Sequence, residues 1–131
     1  MAVAQIQKKT IELNEVREAA RKFASVLALS PQYEAFERAH EALRHDDSAQ
    51  QAISAFQDRQ RAWQTQMMLG ILSPAEQDEL HRLQQRMMTH PTVQNYFRCQ
   101  EELSALCQRV NEIITSVIGL NFSASCGPGC C

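Results

Sequence analysis

The chain has 131 residues, of which 44% are hydrophobic and 21% charged, with a formal net charge of −2. That is one domain's worth of protein with a modest core, and its interspersed charges exclude the basic footprint of an autonomous nucleic-acid binder. Scarce aromatics, few Gly and Pro and abundant Gln favour helix over a β-sandwich or an α/β fold, which need β-branched runs separated by turns.

The punctuation divides the chain into about five helices. Asn14 is the expected cap of a first helix running to about Leu29, with Leu13, Val16, Ala20, Phe23 and Leu27 spaced three or four apart. Ser30-Pro31 supplies an N-cap and an N1 proline for a second, which sets Tyr33, Phe36, His40 and Leu43 on one stripe and ends near Arg44. Asp46 or Asp47 caps a third, expected over residues 48–69, with a seam of Ala49, Ile53, Phe56, Gln60, Trp63 and Met67 and a stop at Gly70. Ser73-Pro74-Ala75-Glu76 is a capping box for a fourth helix carrying Leu80, Leu83 and Met87. A fifth is expected from Pro91 to about Ile118, with a seam of Val93, Tyr96, Gln100, Leu103, Cys107, Val110, Ile114 and Val117 flanked by Phe97, Leu106 and Ile113.

At about 1.5 Å per residue the third and fifth helices would be roughly 33 and 42 Å long, too long to be wrapped by so short a chain. The expected fold is therefore all-α, an elongated antiparallel helical bundle or hairpin whose leftover apolar surface is covered by a second chain, as a dimer or hetero-oligomer. Residues 1–118 form the bundle domain in this reading, and residues 119–131 a flexible cysteine-rich tail. Met1-Ala2-Val3-Ala4-Gln5-Ile6 lacks the apolar run of a signal peptide, and no segment is expected to span or bind a membrane. The expected location is the cytoplasm, where thiols stay reduced.

The tail holds the one concentrated chemical signal, Cys126-Gly127-Pro128-Gly129-Cys130-Cys131. Gly-Pro-Gly lets the backbone turn and bring Cys126 and Cys130 towards one centre, and thiolates select zinc, Cu(I) and iron–sulfur clusters. Three thiolates are one short of the usual four, so a further ligand must come from a second tail, a partner, a non-protein ligand, or Cys99 or Cys107. Those two lie on or near the fifth helix's seam, where cysteine acts as a small buried hydrophobe. The alternative for the tail is a redox-exposed end with no fixed metal, since C-x3-C-C is no standard zinc or ferredoxin spacing.

Nothing else in the chain spells a catalytic site. His40, His45, His81 and His90 are dispersed and read as packed or surface residues, with His90 before Pro91 as helix punctuation. Met67-Met68 and Met87-Met88 flank interhelical turns and read as adaptable core filler. Arg59, Arg61, Arg82, Arg86, Arg98 and Arg109 are accompanied by carboxylates and read as a salt-bridged helix face rather than an RNA-binding one. No phosphate loop or nucleophile elbow is present.

The order of Tyr33-Glu34-Ala35-Phe36, Glu41-Ala42-Leu43-Arg44, Leu72-Ser73-Pro74, Pro91-Thr92-Val93-Gln94-Asn95-Tyr96 and Val110-Asn111-Glu112-Ile113-Ile114 resembles the YlbF/YmcA family of small bacterial regulators, from about residue 10 onward. The resemblance implies a helical, self-associating or sister-pairing protein. In Gram-positive bacteria such proteins form a complex of YlbF, YmcA and YaaT that influences competence, sporulation and biofilm formation, acts with the endoribonuclease RNase Y in mRNA processing, and carries iron–sulfur clusters. It carries a ligand role onto Cys126, Cys130 and Cys131, for a 4Fe–4S cluster or zinc shared between chains. The expected function is a non-catalytic adaptor; the rivals are a metal-handling or thiol-redox protein and a purely structural helical dimer.

Overall fold

The computed structural model describes residues 2–121, and the side chains of residues 12–121. Among these the chain is all-α, with six helices and no strand: α1 (Ala2–Ala28), α2 (Pro31–Arg44), α3 (Asp47–Ala62), α4 (Gln64–Leu69), α5 (Pro74–Met88) and α6 (Pro91–Ile118). The chain divides into two compact units, one ending at Glu34 and the other beginning at Ala35.

The first unit is α1, a tight turn and the opening of α2. α1 begins at Ala2, so Asn14 lies within it and caps nothing. No Pro or Gly interrupts residues 2–13, and without a breaker a cap-type residue is simply carried along. Ser30 then works as expected: its hydroxyl donates to the Leu27 carbonyl over 2.6 Å and accepts the Tyr33 amide at 3.2 Å, closing one helix and opening the next. Leu13, Val16 and Phe23, the expected apolar stripe of α1, are exposed.

In the second unit the main packing is α3 against α5. Ala49 and Ala52 are 0% and 1% exposed, so α3 presents a flat, small-residue face that admits a close neighbour. Leu80 and Leu83 are the buried residues of α5, and Val93 and Cys99 those of α6. Phe36 of α2 packs on Tyr96 of α6 at 5.5 Å between ring centres, which ties these two helices together.

The third helix does not run unbroken to Leu69. Trp63 adopts φ −106° and ψ 13°, dividing it into α3 and α4. The hydrogen-bond ladder persists across the bend: the Trp63 amide bonds the Arg59 carbonyl at 3.0 Å, and the Trp63 carbonyl takes the Met67 amide at 2.9 Å. This is a kink rather than a stop, with the Arg59 guanidinium 5.3 Å from the centre of the Trp63 ring. α4 ends at Gly70, which has φ 66°.

The inward stripe of α6 also differs from the expected seam. It passes through Cys99 and Leu106, while Gln100 and Cys107 are exposed. An amide such as that of Gln100 is costly to bury without partners. Turning it out takes Cys107, two turns later on the same face, out with it. The reading of Cys99 as a buried hydrophobe holds, and that of Cys107 is overturned.

Candidate docking surface

α6 has 28 residues, about 42 Å of helix, and its buried residues are confined to its first third. Beyond Cys99 no described residue of the chain is fully buried. Yet this stretch carries Leu103, Leu106, Val110, Ile113, Ile114 and Val117, with Ile113 63% and Val117 78% exposed. Gly119, at φ 71°, closes the helix through its amide on the Thr115 carbonyl at 2.8 Å, and Leu120 follows, also exposed.

A second apolar patch stands at the α4–α5 turn. The Gly70 amide bonds the Met67 carbonyl and the Ile71 amide bonds the Gln66 carbonyl, which turns the chain and leaves Met68, Leu69 and Ile71 at 65% exposure or more. Met67 and Met68 are therefore not core filler: past the kink at Trp63 both stand exposed, and Met68 is 81% exposed. Of the second pair, Met88 is also exposed, and Met87 is half-buried. It lines a groove of about 240 Å³ with Leu43, Ile53, Phe56, Tyr96 and Phe97. Ser73 opens α5 by accepting the Glu76 amide at 3.2 Å, and its hydroxyl donates to the Glu76 carboxylate at 3.0 Å.

The polar chemistry of this unit gathers where the α2–α3 turn meets the α5–α6 turn. Asp46 caps α3 through Oδ1, which accepts the Ala49 amide at 3.0 Å, and its Oδ2 accepts the Thr92 hydroxyl at 2.6 Å. The Thr92 hydrogen bond, then the Ala49 amide and the nearby His90, hold the Asp46 carboxyl below its ordinary value. His90 caps α6: its Nδ1 accepts the Thr92 amide at 3.3 Å, while Nε2 lies 3.3 Å from Ser48 Oγ and 3.9 Å from Asp46 Oδ1.

Asp46, His90 and Ser48 are thus neighbours without being a nucleophile triad. An acceptor Nδ1 leaves the proton on Nε2, which then donates towards Ser48 and cannot take its proton. The carboxylate also sits on the Nε2 side of the ring instead of orienting Nδ1.

The other expected residues are placed as follows. His40 stacks on Phe36 at 6.2 Å between ring centres, and exposed His45 lies 2.7 Å from Glu41. That bond, with Arg44 second, lowers the Glu41 carboxyl. Arg61 pairs with Asp58, Arg82 with Glu79, and Arg98 donates to Asn95 at 2.6 Å, so these cations are engaged on their own helices. Among the described residues no three His, Cys, Asp or Glu side chains are grouped to hold a metal ion. Cys126, Cys130 and Cys131 lie outside the described residues. Of the two other thiols, Cys99 is buried with Sγ 4.0 Å from Asn95 Oδ1, and Cys107 is exposed. Among the described residues no helix is long and apolar enough to cross a membrane. Sequence reasoning read His90 as helix punctuation and offered Asp46 or Asp47 as a cap, but missed the Thr92 bonds that join His90 and Asp46, which no local spacing signals.

Residues 16–118 match the family described as control of competence regulator ComK, YlbF/YmcA. The chain is 25% identical over 120 residues to a UPF0342 protein of Desulfitobacterium hafniense, covering 88% of this chain and 92% of that one. It is 30% identical over 100 residues to a UPF0342 protein of Latilactobacillus sakei, covering 76% and 88%. A UPF0342 protein of Symbiobacterium thermophilum is 27% identical over 104 residues, with 79% and 93% covered. No solved structure matches the chain. With its family match spanning most of the residues that build α1 to α6, the chain belongs to the YlbF/YmcA regulators.

Proposed function

We propose that this protein is a non-catalytic adaptor that works by docking other proteins on the apolar stretch of α6. The observation that carries this reading is the run from Leu103 to Val117: six aliphatic side chains on a helix with no fully buried residue beyond Cys99. Ile113 and Val117 are exposed and the other four half-buried, and apolar surface left open in this way marks a protein-interaction site. The regulatory character of the family supports the same reading. By resemblance, the partners are a second copy or a YmcA- or YaaT-type protein, and the process is RNase Y-dependent mRNA processing with its effects on competence, sporulation and biofilm formation.

Cys126, Cys130 and Cys131 are the residues we assign to a 4Fe–4S cluster or zinc shared between chains. Their soft thiolate donors suit either centre, and three of them leave a position for a ligand from a partner. Such a centre would add a redox- or metal-dependent fixed point to the docked assembly.

Anaerobic native mass spectrometry of the full chain tests both parts. The expected species is an oligomer carrying the added mass of iron and sulfide or of zinc. Val117→Glu, at an exposed site, should keep the helix content and lose the oligomer. Replacing the three tail cysteines by Ser should keep the oligomer and lose the metal. A wild-type chain that stays monomeric when mixed with purified YmcA- and YaaT-type partners would end the adaptor reading. Metal-free oligomer would end the cluster.

A further inference from the structure

The junction of the two turns contains a chemical conflict that depends on one proton. His90 can cap α6 only while Nδ1 keeps a free lone pair for the Thr92 amide, because a protonated nitrogen presents a hydrogen to another hydrogen. Imidazolium would also place positive charge at the positive end of a 28-residue helix. Against this stands the Asp46 carboxylate, 3.9 Å from Nε2, with the two side chains 18% and 28% exposed. Thr92 and Ala49 donate to the Asp46 carboxylate and hold its carboxyl below its ordinary value, which favours the ionised form. Among the described residues no other acid makes an ion pair with His90. Asp47 follows in the same turn and is exposed, Ser48 contributes a neutral hydroxyl, and Arg86 is the basic residue in the last turn of α5.

We infer that His90 is a proton-operated latch: neutral, it caps α6; protonated, it releases the Thr92 amide and pairs with Asp46 on the facing turn. The proton comes from solvent and adds to the Nδ1 lone pair, so the bond exchanged is the amide cap for a charge-assisted contact through Nε2. The first turn of α6 carries Val93 and leads into Tyr96, both of which line the apolar groove. Uncapping that turn therefore acts on residues that hold α6 to its neighbours.

Nuclear magnetic resonance of the full chain, following the Thr92 amide and the Asp46 carboxyl carbon from pH 8 to pH 5, tests the latch. The expected result is one shared step in both signals as the His90 ring titrates. His90→Asn keeps a favoured N-cap but binds no proton, and should abolish the step while the Thr92 amide stays at its high-pH position. Asp46→Asn removes the anion yet keeps an oxygen for Ala49, and should shrink the Thr92 step, because the released ring then has no anion to pair with. A Thr92 amide that does not move in the wild type, or moves equally in His90→Asn, overturns the latch. A Thr92 step of unchanged size in Asp46→Asn overturns the pairing.

Discussion

Thr92 and Asp46 stand 46 residues apart in the chain, and the threonine hydroxyl donates to the carboxylate across 2.6 Å. The same carboxylate caps α3, and Thr92 lies in the first turn of α6, so a single side chain ties the starts of two helices together.

That arrangement has a pH signature. Because the folded-state value of Asp46 lies below the ordinary one, its contribution to stability is fully present above the ordinary carboxylate range. It is lost as pH falls through the lowered value. Thr92→Val preserves shape and removes the donor. Urea unfolding should show the variant weaker than wild type at pH 7, with the gap closing in strong acid. An equal gap at both pH values would mean that the valine acts through packing instead.

Gly70 isolates a purely conformational cost. It sits at φ 66°, and a Cβ added there would meet nothing within 4 Å. Gly70→Ala should therefore lose about 1 kcal/mol from backbone strain alone. Gly70→Asn should lose less, because Asn tolerates the left-handed region. Thermal unfolding of the two variants side by side would decide it; equal losses would point to a contact that the open space does not suggest.

The α3–α5 contact should be intolerant of added volume. Ala52 is 1% exposed on the helix whose main partner is α5, so Ala52→Leu forces the helices apart and should cost about 1–3 kcal/mol. Leu83→Ala, 5% exposed, should cost about 2–4 kcal/mol through the cavity it leaves. Denaturant midpoints measure both, and a neutral Ala52→Leu would show that α3 and α5 do not pack closely at that site.

The two helical thiols should react at very different rates. In a chain whose tail cysteines are Ser, a maleimide should label Cys107 on the native protein and Cys99 only after denaturation, since reaction needs access to the sulfur. Peptide mapping after brief labelling gives the ratio. Protection of Cys107 that is lost on dilution would instead place that face of α6 inside an assembly of chains.

The helix starts at Ser30-Pro31, Ser73-Pro74 and His90-Pro91 were legible in the residues because capping is settled within a single turn of backbone. The all-α class and the family order of motifs were legible for the same kind of reason: propensity and punctuation act over a few residues and add up along a chain. Three other features needed the tertiary structure. Trp63 bends its helix with no Pro or Gly to announce it, Cys99 turns inward where the regular seam would place Gln100 and Cys107, and Thr92 finds Asp46 across 46 residues of chain. Each depends on the angle and rotation at which one helix meets another, which are set jointly by all the side chains between them and by no local run of residues.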